Sequence, residues 1–309
     1  MMRVGVIGLG WMGKVHLRCY TEMPKVQVVG VVDTDQATLA AVQEKYEVPV
    51  FTRVEDLLDL GLDAVSVCVP TIHHAETGRK VLARGIALLM EKPLAATAAE
   101  GAELVAMAKA GNIPLMVGHI ERFNPAVRRV KDLLTPDNPP ISIQIERVGP
   151  YPPRIQDVGV IKDLGSHDID LIRHLSGSEF KKVFAVTSRT MGKHEDSALI
   201  TAEMENGVLA HINTNWVTPY KARSIQVATA SGYIEANLVT QQVKQYSRFV
   251  DYETGYSVVE WPVLYKEPVK EELTHFLAAV KGRAPVPIPG EDGLAVLQVI
   301  ERIFASLTE

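Results

Sequence analysis

The chain has 309 residues, 47% hydrophobic and 22% charged, with 32 basic against 37 acidic side chains for a net charge of −5. That length suits two domains with a sizeable core, and the acidic balance argues against nucleic acid or an anionic membrane as the main partner. No apolar run approaches the ~20 residues of a membrane span, and the chain opens directly into a strand rather than a signal peptide, so a cytoplasmic location is expected.

The first 118 residues alternate strand and helix. Predicted strands run from Arg3 to Ile7, Val26 to Val32, Ala64 to Val69, Ile86 to Met90 and Pro114 to Val117, short and apolar as parallel strands covered on both faces should be. Between the first strand and its helix lie Gly8, Gly10 and Gly13 in the pattern G-x-G-x-x-G, with Trp11 and Met12 inside the turn. The first glycine permits the tight turn, the second lets backbone approach a pyrophosphate, and the third lets helix pack on strand. The pyrophosphate would sit on the helix N-terminus, whose N–H groups and dipole attract anions. Asp33 closes the second strand, where a carboxylate accepts ribose hydroxyls and repels the extra phosphate of NADP. Thr34, Asp35 and Gln36 offer no cation to offset it, so NAD is the expected cofactor. Cys19 falls on the first helix and Cys68 on a later strand; without metal or disulfide spacing, both read as small core residues of a reducing compartment. The segment AAEGAELVAMAKAG reads as a helix capped at Gly111.

After Phe123 strands come in a run: Ile141 to Val148, Lys182 to Thr190, Ala198 to Met204, Val208 to Val217, Ser224 to Ala230 and Tyr233 to Ala236. Asn206-Gly207 reads as a two-residue hairpin turn. Two helices close the chain, from about Val269 to Lys281 and from about Glu291 to Leu307; the second carries a broad apolar packing face. The expected architecture is an α/β Rossmann domain over 1–120, followed over 121–309 by an α+β domain with a mainly antiparallel, open-faced sheet.

Chemistry belongs where the carboxyl ends of the first-domain strands lie. Glu91-Lys92-Pro93 ends one of them, and a positioned Lys92 ammonium can stabilise a developing alkoxide; read alone, it fits an ordinary surface lysine better. In DLGSHDIDLIRHL, Asp163 and His167 stand four apart, which on a helix or its first turn brings them to one side. His167 suits proton removal near neutral pH, and a touching Asp163 would favour its imidazolium by more than a helix dipole opposes it. Taken alone, a capping acid and a structural histidine explain the pair as well. Asp168 and Asp170 read as acids complementing a first helical turn, and His174 as an ordinary helix residue. His119, Arg122 and Asn124 in GHIERFNPAV are donors suited to a polar substrate. His73-His74 and His167-Asp168 match no metal spacing, so no metal is expected.

In order, GVIGLGWMG, CVPTIHHAE, EKPLA, GHIERFNPAV and DLGSHDIDL resemble the glucose-fructose oxidoreductase and inositol dehydrogenase family of NAD(P)-dependent sugar oxidoreductases, across the whole chain. The resemblance implies that Lys92, Asp163 and His167 are catalytic. It makes Val69, Pro70, Thr71 and His74, with Glu91 and Lys92, walls of the dinucleotide site; Ile72 stands at or beside the place of the family's usual Asn. GHIERFNPAV with DLGSHDIDLIRHL is most similar to the nucleotide-sugar branch, which oxidises C3 of UDP-N-acetylglucosamine. That implies a UDP-sugar as small-molecule substrate, with His119, Arg122, Asn124, Arg154 and His167 binding it. Arg122, Arg147, Arg154, Lys221 and Arg223 are available cations for a diphosphate, most of them read as solvated surface charges. The resemblance also implies a homodimer or homotetramer formed through the second-domain sheet.

Overall fold

The computed structural model describes residues 1–152, 155 and 158–307. They divide into two compact units, Met1–Ile120 with Val269–Leu297, and Glu121–Pro268 with the chain from Gln298. In the first, strands β1 (Met2–Ile7), β2 (Val26–Val32), β3 (Val50–Phe51), β4 (Ala64–Val67), β5 (Ala87–Glu91) and β6 (Leu115–Gly118) alternate with helices α1 (Trp11–Thr21), α2 (Gln36–Tyr46), α3 (Val54–Leu58), α4 (His74–Leu82) and α5 (Ala98–Ala110). The strands make one parallel sheet in the order β3-β2-β1-β4-β5-β6. β4 and β5 are buried at every position, which is why they read as mostly apolar, broken only by Ser66 and the closing Glu91. Strand order reverses between β1 and β4, the switch point where doubly wound sheets bind ligands.

The second unit carries helices α6 (Pro125–Leu133) and α7 (Ser166–Ser176). Its strands are β7 (Pro140–Pro150), β8 (Phe180–Ser188), β9 (Ser197–Met204), β10 (Leu209–Asn215), β11 (Val217–Thr229), β12 (Gly232–Asn237), β13 (Gln242–Ser247) and β14 (Val258–Trp261). They form one sheet, β14-β13-β12-β11-β7-β10-β9-β8, antiparallel except where β7 and β10 run parallel. Alternation is evident on β10, where Ala210, Ile212 and Thr214 turn inward.

Three expectations are corrected. The Asn206-Gly207 turn is not a two-residue hairpin: Met204 N–H reaches Val208 O at 2.8 Å, enclosing residues 205–207. A two-residue type I′ turn needs positive φ at both centres, and here Gly207 has it (85°) while Asn206 does not. The strand expected at Ser224 begins at Val217 and passes through an irregularity in its pairing with β7. Most consequentially, the chain after 120 is not all one domain. The closing helices α8 (Pro268–Val280) and α9 (Gly290–Ser306) include Val269–Leu297, which packs in the first unit. Val117 N–H donates to Ile288 O at 3.0 Å, and Gly293 comes so near that an added Cβ would lie 2.7 Å from Val117.

Candidate active site

In the first unit the glycine turn is shaped by crowding. Gly8 has φ of 88°, and a Cβ there would meet the Cys68 carbonyl at 2.7 Å; one on Gly13 would lie 1.8 Å from Gly8 O. Neither position tolerates a side chain. Gly10 has nothing within 4 Å of its would-be Cβ, so its side of the turn is open. Gly10 also N-caps α1, which receives no side-chain capping bond and has no acid in its first turn. An open turn before uncapped N–H groups fits a dinucleotide pyrophosphate. Asp33 fixes this turn from β2: Oδ2 accepts Leu9 N–H at 2.6 Å and Oδ1 accepts Asp35 N–H at 2.9 Å. An ionised carboxylate has about four acceptor positions, so capacity remains for ribose hydroxyls.

β4 and β5 end in loops tied by His74. Its Nδ1 lies 2.7 Å from Pro93 O and its Nε2 2.9 Å from Val69 O, and burial holds its pKa below the ordinary value although both carbonyls favour the charged ring. His74 is therefore a strut between strand-end loops, its two nitrogens spent on backbone. Val69, Pro70 and Thr71 pass through this corner, whereas Ile72 is 66% exposed and Trp11 73% exposed.

Lys92 follows β5, joined to Pro93 by a cis peptide. Behind it lies a buried cluster absent from the sequence reading. Glu91 Oε1 lies 3.0 Å from His16 Nε2, and Glu91 Oε2 accepts Lys92 N–H at 3.2 Å. Glu272 of α8, fully buried, brings Oε2 to 4.0 Å from the same His16 nitrogen. Burial pushes the Glu91 carboxyl up, but the His16 contact and the charges of His16 and Lys92 hold it below the usual range. On Glu272, burial and the neighbouring Glu91 carboxylate prevail and push the carboxyl well above the usual range. Cys68 Sγ lies 3.8 Å from His16 Nδ1, and burial raises its thiol. His16, Cys68 and Glu91 offer donors within 4.8 Å of one another. The ring nitrogens, however, face opposite neighbours, which makes a proton-bridged chain rather than a cage for one ion. Glu91, expected against the cofactor, thus faces inward.

The second unit positions Asp163 and His167 differently from a plain helix. Ile161–Gly165 is a single π-turn, and α7 starts immediately after it; such bulges widen the local repeat and recur at functional sites. Asp163 N–H donates to Gly159 O at 3.1 Å, and Ser166 Oγ donates to Asp163 O at 3.3 Å. His167 is the second residue of α7 and half-buried. Beside it Asp168 is wholly buried and accepts Arg147 Nε at 2.7 Å, while Arg147 Nη1 donates to Glu121 at 2.7 Å and Arg223 Nη1 to the same Glu121 oxygen at 3.2 Å. Burial pushes Asp168 up to about 6 despite Arg147. Against the same burial, Arg147 and Arg223 hold Glu121 below the usual carboxylate range.

These pairs correct the reading of the arginines as surface charges. Arg147 is 1% exposed, and Arg122 grips Asp170 through two bonds of 2.8 and 2.6 Å. Asp168 and Asp170 are ion-pair partners rather than dipole-complementing surface acids. Asn124 N-caps α6, its Oδ1 accepting Ala126 N–H at 3.0 Å and its Nδ2 donating to Leu238 O at 3.0 Å. His119 is 1% exposed at the end of β6. The donors expected to meet substrate at Arg122 and Asn124 thus brace the second unit. Arg154 lies outside the described residues.

A family model described as an oxidoreductase family, NAD-binding Rossmann fold, matches residues 2–119, and the GFO/IDH/MocA C-terminal domain matches residues 140–235. The chain belongs to this family. It is an oxidoreductase whose first unit is an NAD-binding fold. Among GFO/IDH/MocA relatives, UDP-N-acetylglucosamine 3-dehydrogenase of Acidithiobacillus ferrooxidans is 29% identical over 96% of this chain and 94% of its own. A solved structure of that enzyme superposes with a TM-score of 0.92 at 28% identity, covering 99% of this chain and 97% of the other. Inositol 2-dehydrogenase of Rhizobium meliloti is 27% identical, covering 100% of this chain and 97% of its own. Among the described residues, no helix is long and apolar enough to cross a membrane.

Proposed function

We propose that the protein is an NAD-dependent dehydrogenase of a nucleotide sugar, oxidising the C3 hydroxyl of UDP-N-acetylglucosamine to the ketone. The observation that carries this reading is end-to-end similarity to an enzyme named for that reaction in a chain that has Lys92, Asp163 and His167 at the family's motif positions. The glycine turn, α1 and Asp33 hold the dinucleotide, whose nicotinamide supplies the hydride acceptor. His167 takes the hydroxyl proton as the hydride leaves the same carbon. Asp163 orients the imidazole and favours the cation it becomes. The Lys92 ammonium stabilises negative charge on the substrate oxygen, and its backbone is set by the Glu91 carboxylate behind it.

The test is NADH formation from NAD and UDP-N-acetylglucosamine, with a ketone trap to draw the reaction forward, beside free N-acetylglucosamine and inositol. Turnover restricted to the nucleotide sugar is expected; turnover of inositol alone would move the assignment to a cyclitol dehydrogenase, a reading the Rhizobium relative favours. We also infer a homo-oligomer formed through the second-unit sheet. Phe184, Val186 and Leu199 are 58%, 52% and 45% exposed and cluster on neighbouring strands, with Val186 paired to Leu199, an apolar patch of the kind that associates. Light scattering after size exclusion should show a dimer or tetramer, and a monomer would remove the inference.

A further inference from the structure

The second unit contains a cavity of about 500 Å³ whose lining includes Tyr151, Val158, Gly192, Lys193, His194 and Trp216. Its aromatic wall is built: the Tyr151 and Trp216 rings meet edge to face, centroids 5.8 Å apart at 85°. Trp216 is 4% exposed, yet among the described residues its indole Nε1 has no hydrogen-bond partner. A buried indole N–H ordinarily finds an acceptor, so this one is a spare donor in a residue that lines the cavity. The ring is held in place, because Trp216 N–H donates to Asp196 O at 2.8 Å and the buried Asp196 carboxylate accepts Thr190 N–H at 2.6 Å and Met191 N–H. The loop so anchored presents Lys193 and His194, both exposed. Gly192 sits against the wall, where a Cβ would fall 2.4 Å from Tyr151 Oη. Val158 connects the cavity to the reaction centre: the next residue, Gly159, accepts the Asp163 N–H.

Flat aromatic walls, one dry N–H donor and a lysine and a histidine at the rim describe a ligand with a planar, acceptor-bearing end and an anionic end. We propose that this cavity receives the nucleoside-diphosphate half of the substrate, with the base against Tyr151 and Trp216, a base carbonyl on Trp216 Nε1, and the diphosphate at Lys193 and His194. A base offers its π-face to such walls whatever its identity, and the lone N–H can donate to a base's carbonyl oxygen. The volume suits a small-molecule site. This deepens the nucleotide-sugar reading and rests on it.

The test titrates the full-length protein, with NAD saturating so that the dinucleotide site is blocked, with UDP, uridine and inorganic pyrophosphate. Calorimetry and tryptophan fluorescence follow binding in wild type, Trp216→Phe, Lys193→Ala and Gly192→Val. NADH formation from UDP-N-acetylglucosamine is measured separately. UDP is expected to bind more tightly than uridine or pyrophosphate and to quench fluorescence. Lys193→Ala should weaken UDP about tenfold, through loss of a charge-assisted contact. Trp216→Phe should weaken it about fivefold, and Gly192→Val by at least as much, with the KM for the nucleotide sugar rising in step and NAD affinity kept. UDP affinity unchanged in all three variants overturns the proposal, even if the nucleotide sugar is oxidised and the functional reading stands. UDP binding that these variants weaken, without oxidation of any nucleotide sugar, supports the cavity and removes that reading instead.

Discussion

Each unit buries a charged cluster directly behind a residue proposed to act in catalysis, and the two clusters solve the same electrostatic problem differently. Behind Lys92, two carboxylates, Glu91 and Glu272, meet a single histidine. Behind His167, two carboxylates, Glu121 and Asp168, meet a fully buried arginine, with Arg223 as a second cation on Glu121. Burial alone would neutralise every one of these acids. In the first cluster the His16 contact and the charges of His16 and Lys92 hold Glu91 low, while burial and the neighbouring Glu91 push Glu272 well above the usual range. With two arginines, the second keeps Glu121 ionised and lets Asp168 titrate near 6. Which acid has cations set directly against it, more than depth of burial, decides the direction in which each is pushed.

The largest effect expected is on rate. His167→Ala should lower turnover ~10² to 10⁴-fold while NAD binding is retained, and near-full turnover would remove His167 from the mechanism. Next in size is stability. Arg147→Met strands the buried Asp168 and leaves Glu121 only Arg223, and should cost about 3–5 kcal/mol in chemical denaturation, whereas Glu272→Gln, at an acid whose charged form burial already disfavours, should cost less than about 1 kcal/mol. Equal losses would break the contrast drawn above. Asp168→Asn sharpens it through pH. In the folded chain Asp168 binds its proton more tightly than the ~3.9 of an unfolded aspartate, so this group's contribution is full below about 4 and is lost as pH rises through about 6. The stability advantage of wild type over Asp168→Asn should therefore shrink between pH 4 and 6, and a gap that widens would show that Arg147 dominates. Glu91→Gln keeps an acceptor for Lys92 N–H but loses the His16 ion pair; a loss of about 1–3 kcal/mol is expected, above that of Glu272→Gln, the smallest effect in the set.

What was legible in the sequence was local. Gly8, Gly10, Gly13 and Asp33 declare themselves because turn geometry and a β-α-β spacing leave few other uses for them. β13 was missed because its polar sequence, QVKQYS, lacks the apolar signal of a core strand, and β14, VVEW, because four residues are too short to show a period. The Arg147 network joins residues 21 and 26 positions apart in sequence, and Arg122 finds Asp170 across 48; charged side chains are read as exposed by default, and nothing local contradicts that. Two signals were present and unused. Asn124 followed by Pro125 is the sequence form of an N-cap with proline at the first helical position. His16 lies beside Leu17, Cys19 and Tyr20 on the buried side of α1, and a polar residue on such a face needs a partner inside.

The return of Val269–Leu297 to the first unit bears on how the molecule is made. A nascent chain folds domain by domain at roughly 5–20 residues per second, and here the cofactor half is interrupted in synthesis by everything from Glu121 to Pro268. Its sheet can assemble early, but Gly101 and Val117 stay uncovered, and His16 waits for Glu272, until the ribosome has passed Pro268 and made the Val269–Leu297 segment. An amino-terminal piece ending at Ile120 should therefore emerge with an open apolar flank and need chaperone protection, so the two halves mature together although only one of them holds NAD.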